Sequence, residues 1–400
     1  MPIYTDIIRQ LSANAYQQGI RYDLVPFQAV LSRLGNPEKS LKNIIHLAGT
    51  NGKGSTLTFI ASALQSCGLL VGTYTSPHFE TYTERICLNG EPIFETEFCH
   101  YFQQVREADS ECTLTEFEIL TAMSFLFFKD KKPDYILYET GLGGRLDATN
   151  VVTPILSIIT KIGLDHQAIL GDTLVQIATE KAGIIKPRVP VITLKQSGPV
   201  LQVFQQRAAE CESTLTIVSS LKQVPTGYRM TAPYQRDNLA LAKKALSLLS
   251  HSLDFKKVEK GLQNAQIWGR YLIKKNGSQT LVIDAAHNPQ GVRALMTGLA
   301  KDFPGQKPVF IIGIYKTKDA RSMLKRFEKS SSQCYYCDFE PGRSFSLSEV
   351  HNWGYTTFKE YPATDIPQLP SEALVVLTGS IYFISLFKEK LEDWGASSGE

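Results

Sequence analysis

Seven residues, Gly49-Thr50-Asn51-Gly52-Lys53-Gly54-Ser55, set a lysine and a hydroxyl among glycines. Such a turn lets backbone N–H groups close around phosphate oxygens, and a helix starting there adds the positive end of its dipole. Lys53 is suited to neutralise outer phosphates and Ser55 to ligate Mg²⁺, with Asn51, Gly52 and Gly54 completing the loop. The strict G-x-x-x-x-G-K-[ST] pattern is not met, because Gly49 and Gly52 stand too close and Gly54 separates Lys53 from Ser55. The competing reading, a glycine turn with a solvated lysine, is weakened by a strand before the loop and a helix after it. Glu139 ends the apolar run Tyr135-Ile-Leu-Tyr, at the sheet edge where a carboxylate faces bound ligand. Beside a phosphate loop it suits Mg²⁺, a hard cation that prefers oxygen and retains water. By chemistry alone His166 reads as an acid/base or structural group, since histidine is an unusual magnesium ligand. Lys181, in Glu180-Lys-Ala-Gly, reads most simply as a surface charge or a partner for a helix C-terminus. Asp284 and His287 read either as ligand contacts or as a turn cap and a satisfied histidine. Cys334 and Cys337 form a C-x-x-C within an expected strand, Gln333 to Phe339, where residues three apart point to opposite faces. That geometry disfavours a redox or zinc role.

The elements that must position these groups alternate. Short apolar runs predict strands at Asn43–Ala48, Leu70–Tyr74, Tyr135–Tyr138, Ile155–Thr160, Val189–Thr193 and Leu215–Ser219. Leu57, Ile60, Ala61 and Leu64 predict a helix that Gly68 ends, and Leu239, Ala242, Leu246 and Leu249 a second. After Trp268-Gly-Arg270 the polar turn Lys274-Lys-Asn-Gly-Ser precedes a new alternation at Leu281–Asp284, Val309–Ile314, Tyr335–Phe339 and Leu374–Thr378. Strands alternating with helices predict an α/β fold with mostly parallel sheets. A P-loop-type ATPase domain over 1–272 and a smaller Rossmann-like domain over 273–400 are expected. No internal repeat or low-complexity tract is visible.

Composition bounds the function. Four hundred residues exceed what one core usually serves. A net charge of +3 gives no broad basic field for nucleic acid or an acidic membrane. Apolar stretches such as Phe125–Phe128 fall far short of a membrane span, and the N-terminus, with Asp6 and Arg9, shows no signal-peptide pattern. Seven cysteines at irregular spacing point to reduced thiols and a cytoplasmic setting.

The loop resembles that of the folylpolyglutamate synthase and dihydrofolate synthase family, relatives of the Mur ligases. The likeness continues through Thr75-Ser-Pro-His78, Tyr82-Thr-Glu-Arg85, and Glu139-Thr-Gly-Leu-Gly-Gly-Arg-Leu-Asp-Ala-Thr-Asn150. It resumes at Lys161-Ile-Gly-Leu-Asp-His166, Leu170-Gly171, Glu180-Lys-Ala-Gly-Ile-Ile185, Asp284-Ala-Ala-His-Asn-Pro289 and Thr378-Gly-Ser380. The resemblance implies an ATP-dependent ligase that phosphorylates a folate-type carboxylate to an acyl phosphate. The amino group of glutamate then displaces the phosphate. It assigns Ser76 and Glu139 to one Mg²⁺, and His166 and a carbamylated Lys181 to a second. It places Asn238, Arg270, Asp284 and His287 in the ATP site, and Arg270 suits phosphate by its forked guanidinium. Dihydropteroate or a reduced folate would contact Thr115, Glu116, Phe117 and Glu118, and Leu146, Asp147 and Ala148. Small-molecule substrates, no nucleic-acid or membrane partner, and a monomer are expected.

Two segments depart from the family pattern: Asp23-Leu-Val-Pro-Phe27, where an arginine is usual, and Tyr315-Lys-Thr-Lys-Asp319, where Asp-Lys-Asp is more frequent. Residues 195–233 are not informative. The alternatives are a Mur-type ligase acting on a cell-wall precursor and a non-enzymatic nucleotide-binding relative. Gly54 and the Glu139–Asn150 block disfavour the first. Retention of Lys53, Glu139, His166 and Lys181 disfavours the second.

Overall fold

Every residue of β1 (Ile44–Ala48) is buried, as befits a strand covered on both faces. β1 lies in a computed structural model that describes residues 3–18, 23–249, 253–362, 374–392 and 394. The chain divides into two compact units. The first comprises Met1–Gly163, Leu170–Lys222 and Asp237–Ala265, the second Leu164–Ile169, Gln223–Arg236 and Gln266–Glu400.

The first unit holds β1, β2 (Val71–Tyr74), β3 (Ile86–Leu88), β4 (Glu91–Pro92), β5 (Tyr135–Glu139), β6 (Leu156–Ile159), β7 (Val191–Leu194) and β8 (Leu215–Val218). They form one sheet in the order β4-β3-β2-β5-β1-β6-β7-β8. The pairs β2–β3 and β3–β4 are antiparallel and the others parallel. The register sets Tyr74 beside Tyr138, Leu47 beside Glu139 and Ala48 beside Ile159. The segments that follow β2, β5, β1 and β6 therefore leave from one edge of the sheet, which is where the candidate residues lie. Under this edge Tyr138 packs on Tyr74 and Phe125, with ring centroids 5.6 and 5.4 Å apart.

The second unit holds β9 (Arg270–Asn276), β10 (Gln279–Asp284), β11 (Val309–Ile312), β12 (Gln333–Tyr336), β13 (Lys359–Glu360) and β14 (Leu374–Thr378), in the order β13-β12-β11-β14-β10-β9. Only β9 runs antiparallel among these described strands. Phe310, Phe327, Val376 and Leu324 centre its core.

The expected strands are present within a few residues. The helix Lys53–Ser66 is ended by Gly68, whose φ of 84° is left-handed and whose N–H donates to Gln65 O at 2.8 Å. Two expectations change. Lys274, Lys275 and Asn276 belong to β9 rather than to a turn, and the reversal is Gly277-Ser278 alone. An edge strand tolerates such lysines because one side of its ladder is unpaired. β12 stops at Tyr336, so Cys337 lies beyond it, and both Cys334 and Cys337 are buried. Burial pushes their thiols up to about 11 and about 12, so neither is a reactive thiolate near neutral pH. Residues 195–233 contribute the helix Gly198–Glu210 and β8. Among the described residues no helix is long and apolar enough to cross a membrane.

Candidate functional site

The glycine loop joins β1 to the helix Lys53–Ser66. Gly49 and Gly52 adopt φ of 148° and 98°, and side chains there would collide with Thr160 Oγ1 and Asn238 Oδ1. Glycine is required twice over, by backbone and by space. The loop is tied to the segment after β6, where Lys161 O accepts from Thr50 and Asn51 N–H at 3.0 and 3.4 Å. Thr50 Oγ1 also donates to Gly163 O at 3.0 Å. The helix then opens directly on the loop, its first-turn N–H groups disposed as for a phosphate.

Lys53 Nζ lies 3.3 Å from Gly49 O and 3.6 Å from Glu139 Oε1, so the cation and the carboxylate meet at the sheet edge. Ser55 and Glu139 are buried, and Ser76 leaves the neighbouring β2 two residues past its end. Asn238, in the helix Gln235–Leu249, is buried against Gly52, and its neighbour Asp237 pairs with Lys161 at 3.8 Å.

Lys181 is not a surface charge. It lies in the helix Leu174–Ala182, 5% exposed, beneath the loop that follows Glu139. A side chain on Gly144 would come within 2.8 Å of Glu180 O and 3.0 Å of Lys181 Cα, and one on Gly183 would strike the Arg145 backbone. Arg145 N–H donates to Glu180 O at 2.8 Å and its guanidinium pairs with the Glu180 carboxylate at 2.9 Å. Asn150 Nδ2 bonds Arg145 O and Gly183 O at 2.9 and 3.1 Å. The Gly-Leu-Gly-Gly-Arg loop and the Glu-Lys-Ala-Gly helix end are thus interlocked.

The two acceptor segments also meet. Thr115 caps the helix Glu116–Lys131, and Glu118 reaches back to Thr115 N and Oγ1 at 2.7 and 2.8 Å, a capping box. Glu116 pairs with buried Arg85 at 3.2 Å. Arg85 also donates to His78 Nδ1 at 3.0 Å and lies over the Tyr82 ring. Burial, reinforced by Arg85, lowers His78 to about 3 and keeps it neutral. Phe117 packs on Tyr74 and lies against Gly141, where an added side chain would come within 2.7 Å of its ring. Leu146 is half-buried, and Asp147 and Ala148 are buried on the same loop as Gly141.

In the second unit, Asp165 gathers a cluster that sequence alone does not reveal. Lys318 Nζ lies 2.7 Å from Asp165 Oδ1 and 3.3 Å from His166 Nε2. His287 Nε2 is 3.6 Å, and Asn288 Nδ2 3.1 Å, from Asp165 Oδ2. Burial alone would raise the Asp165 carboxyl, but the His287 hydrogen bond and the charge of Lys318 outweigh it and hold it far below the usual carboxylate range. His166 adopts a φ of 51° and keeps 41% of its side chain exposed. Asp284 ends β10 in register with Thr378 and Arg270. Burial raises its carboxyl to about 6, against the opposing effects of Tyr234 and Arg270, and Tyr234 Oη donates to Oδ2 at 2.7 Å.

Asp165, Lys318, Tyr234 and Arg85 were not singled out from sequence. Asp165 and Arg85 lie in the matched blocks that also hold His166 and Tyr82, and Tyr234 stands four residues before Asn238. Lys318 lies in a segment noted only for departing from the family pattern.

Among the described residues no three His, Cys, Asp or Glu side chains form a metal-holding cluster. The buried Ser55 hydroxyl and Glu139 carboxylate instead offer the sparse oxygen set of a cation that keeps its waters and shares substrate phosphates. That donor set fits Mg²⁺.

A parallel sheet ending in this loop, in a chain with a second α/β unit, defines a nucleotide-dependent enzyme of the Mur-ligase-like class. No protein-family profile matches the chain. It is 34% identical over 418 aligned residues to the dihydrofolate synthase/folylpolyglutamate synthase of Bacillus subtilis, covering 94% of this chain and 96% of that one. The chain belongs to the dihydrofolate synthase/folylpolyglutamate synthase family. Its structure is similar to that of E. coli FolC in complex with DHPP and ADP, with 27% identity, a TM-score of 0.87, and coverage of 98% of this chain and 99% of that one. It is also similar to a bifunctional folylpolyglutamate synthase/dihydrofolate synthase with Mn, AMPPNP and L-glutamate bound, with 27% identity, a TM-score of 0.86, and 98% of each chain covered.

Proposed function

We propose that the chain joins the amino group of L-glutamate to dihydropteroate, to the γ-carboxylate of a reduced folate, or to both, consuming ATP. The observation that carries this reading is the shared sheet edge. There the phosphate loop, Glu139 and the loop packed on Phe117 leave adjacent parallel strands. The ligands of the two similar structures, ADP with DHPP and AMPPNP with L-glutamate, support the same substrate set.

A carboxylate is a poor electrophile. Its oxygen first attacks the γ-phosphorus of ATP, forming an acyl phosphate and releasing ADP. The neutral amine of glutamate then attacks the acyl carbon, forming the amide as phosphate leaves and the amine gives up one proton to solvent. Lys53 and the loop N–H groups stabilise charge on the transferring group by position and electrostatics. Ser55, Ser76 and Glu139 are assigned to Mg²⁺, which when bound neutralises phosphate charge and acts as a Lewis acid. His166 and Lys181, the latter as its carbamate, are assigned as further metal ligands. Asn238, Arg270, Asp284 and His287 are assigned to the nucleotide. Thr115–Glu118 and Leu146–Ala148 are assigned to the acceptor, with Thr115 and Glu118 shaping the helix start and Phe117 offering the flat face.

We assign the phosphate loop and folate binding to residues 1–272 and the glutamate-ligase domain, with Asp284 and His287, to 273–400, in a monomeric cytoplasmic enzyme. The test offers dihydropteroate and tetrahydrofolate in parallel, each with ATP, Mg²⁺ and glutamate, and identifies products by mass. Glutamate-dependent ADP release with neither acceptor extended refutes the assignment. Extension of a UDP-sugar peptide precursor instead establishes the Mur-type alternative.

A further inference from the structure

His46 stands in mid-strand on β1 with no surface exposed, among Ile44, Ile45, Leu47 and Ala48. Its Nε2 lies 2.8 Å from Thr149 Oγ1, and that hydroxyl lies 2.5 Å from Asp147 Oδ1. Asp147 also accepts from Thr149 N–H at 3.0 Å and, through Oδ2, from Leu142 N–H at 2.9 Å. Burial, with a smaller effect of the Lys186 charge, lowers His46 to about 3 and keeps the imidazole neutral.

A neutral imidazole has one N–H, a threonine hydroxyl one proton, and a carboxylate only acceptors. The Thr149 proton therefore goes to Asp147, and Nε2 of His46 must carry the proton that Thr149 Oγ1 accepts. Among the described residues, Nδ1 is left as a buried lone pair with no partner. An unsatisfied polar atom in a core is destabilising. An aliphatic residue, as at the four other positions of β1, would avoid that cost. Packing does not account for a histidine here, and the hydrogen bond it donates does.

Asp147, at the end of this column, gathers the stretch from Leu142 to Thr149 around its carboxylate. That stretch adjoins Gly141, which packs on Phe117, and includes Gly144, which packs on Lys181. We propose that His46 is a positioning residue for the acceptor, fixing Asp147 through Thr149 and with it the loop that receives the folate-type substrate. The proposal rests on the assignment of Phe117 and Leu146–Ala148 to that substrate. His46 acts only through the two residues in front of it.

The test is steady-state kinetics on the full chain, with acceptor and ATP varied separately. His46→Leu is expected to raise the acceptor KM about tenfold and leave the ATP KM within about twofold. His46→Gln, whose amide nitrogen can donate from the place of Nε2, is expected to keep the acceptor KM near wild type. Asp147→Asn is expected to raise the acceptor KM, and the double variant His46→Leu/Asp147→Asn to be no worse than the worse single one, since both break one column. Should His46→Leu not fold, Thr149→Val removes the middle hydroxyl and takes its place. A raised acceptor KM in Asp147→Asn but not in His46→Leu overturns the proposal alone. Equal defects in the Leu and Gln variants, or ATP and acceptor KM rising together, also overturn it. An unchanged acceptor KM in Asp147→Asn overturns the acceptor assignment of the loop and the proposal with it.

Discussion

Asp284 couples function to stability in a way that can be measured. Its carboxyl is raised from 3.8 to about 6, first by burial, with the Tyr234 hydrogen bond and Arg270 opposing. Below about pH 3.8 the group is protonated whether folded or unfolded, and ionisation carries no penalty. Above about pH 6 it is ionised in both states, and the folded protein bears the full cost, about 3 kcal/mol at about 1.36 kcal/mol per pKa unit. Stability from this group is therefore present at low pH and lost as pH rises through the folded pKa. Asp284→Asn keeps the shape and removes the ionisation. Integrating between the two pKa values, the variant gains on wild type about 1 kcal/mol near pH 4.5 and about 3 kcal/mol near pH 7.5. Urea melts of both proteins at the two pH values read this difference. The same preparations should show a higher ATP KM or lower turnover, because the lost charge is assigned to the nucleotide site. A stability difference independent of pH, or an asparagine variant less stable near pH 7.5, refutes the reasoning: pairing with Tyr234 and Arg270 would then outweigh burial.

Lys53→Ala should abolish turnover while leaving weak nucleotide binding through the loop backbone, measured by calorimetry with ADP; near wild-type turnover would remove the loop from the active site. Glu139→Gln keeps shape but loses charge, so turnover should fall and the Mg²⁺ requirement rise, and an unchanged Mg²⁺ titration would take Glu139 out of the metal site. Lys181→Ala should be nearly inactive and partly rescued by added acetate, which can occupy the space of a carbamate. Full activity without rescue would refute the carbamate.

What could be read from sequence was set by the range of each interaction. The glycine loop is local, and its strand and helix lie within a few residues of it. β1, β2 and β5 showed as short apolar runs because both faces of the sheet are covered. The helix Glu116–Lys131 gave no amphipathic signal, since every residue from Glu118 to Phe128 is buried. Its start does carry a local signal, the capping-box pattern Thr115-x-x-Glu118, on residues that the resemblance assigns to the substrate. The Lys318–Asp165 pair spans 153 residues and the His46–Thr149 bond 103. No local pattern encodes either. By residue type alone Lys181 reads as a surface charge; its burial depends on the packing of Gly144 and Gly183 against backbone distant in sequence, which no local pattern encodes.

The chain leaves the first unit at Gly163, returns at Leu170, leaves again at Lys222 and returns at Asp237 before its final departure at Ala265. No single cut separates the two units. A fragment ending at Ala265 would keep Asp165 but lose Lys318, His287 and Asn288, and would keep Tyr234 but lose Asp284. Segments 164–169 and 223–236 would lose the partners that hold them, so they should be unordered in that fragment. Exchanging second units between relatives would likewise require three grafted segments, 164–169, 223–236 and the C-terminal stretch. In this fold modularity belongs to the three-dimensional units and not to the gene, and recombination at one junction cannot mix them.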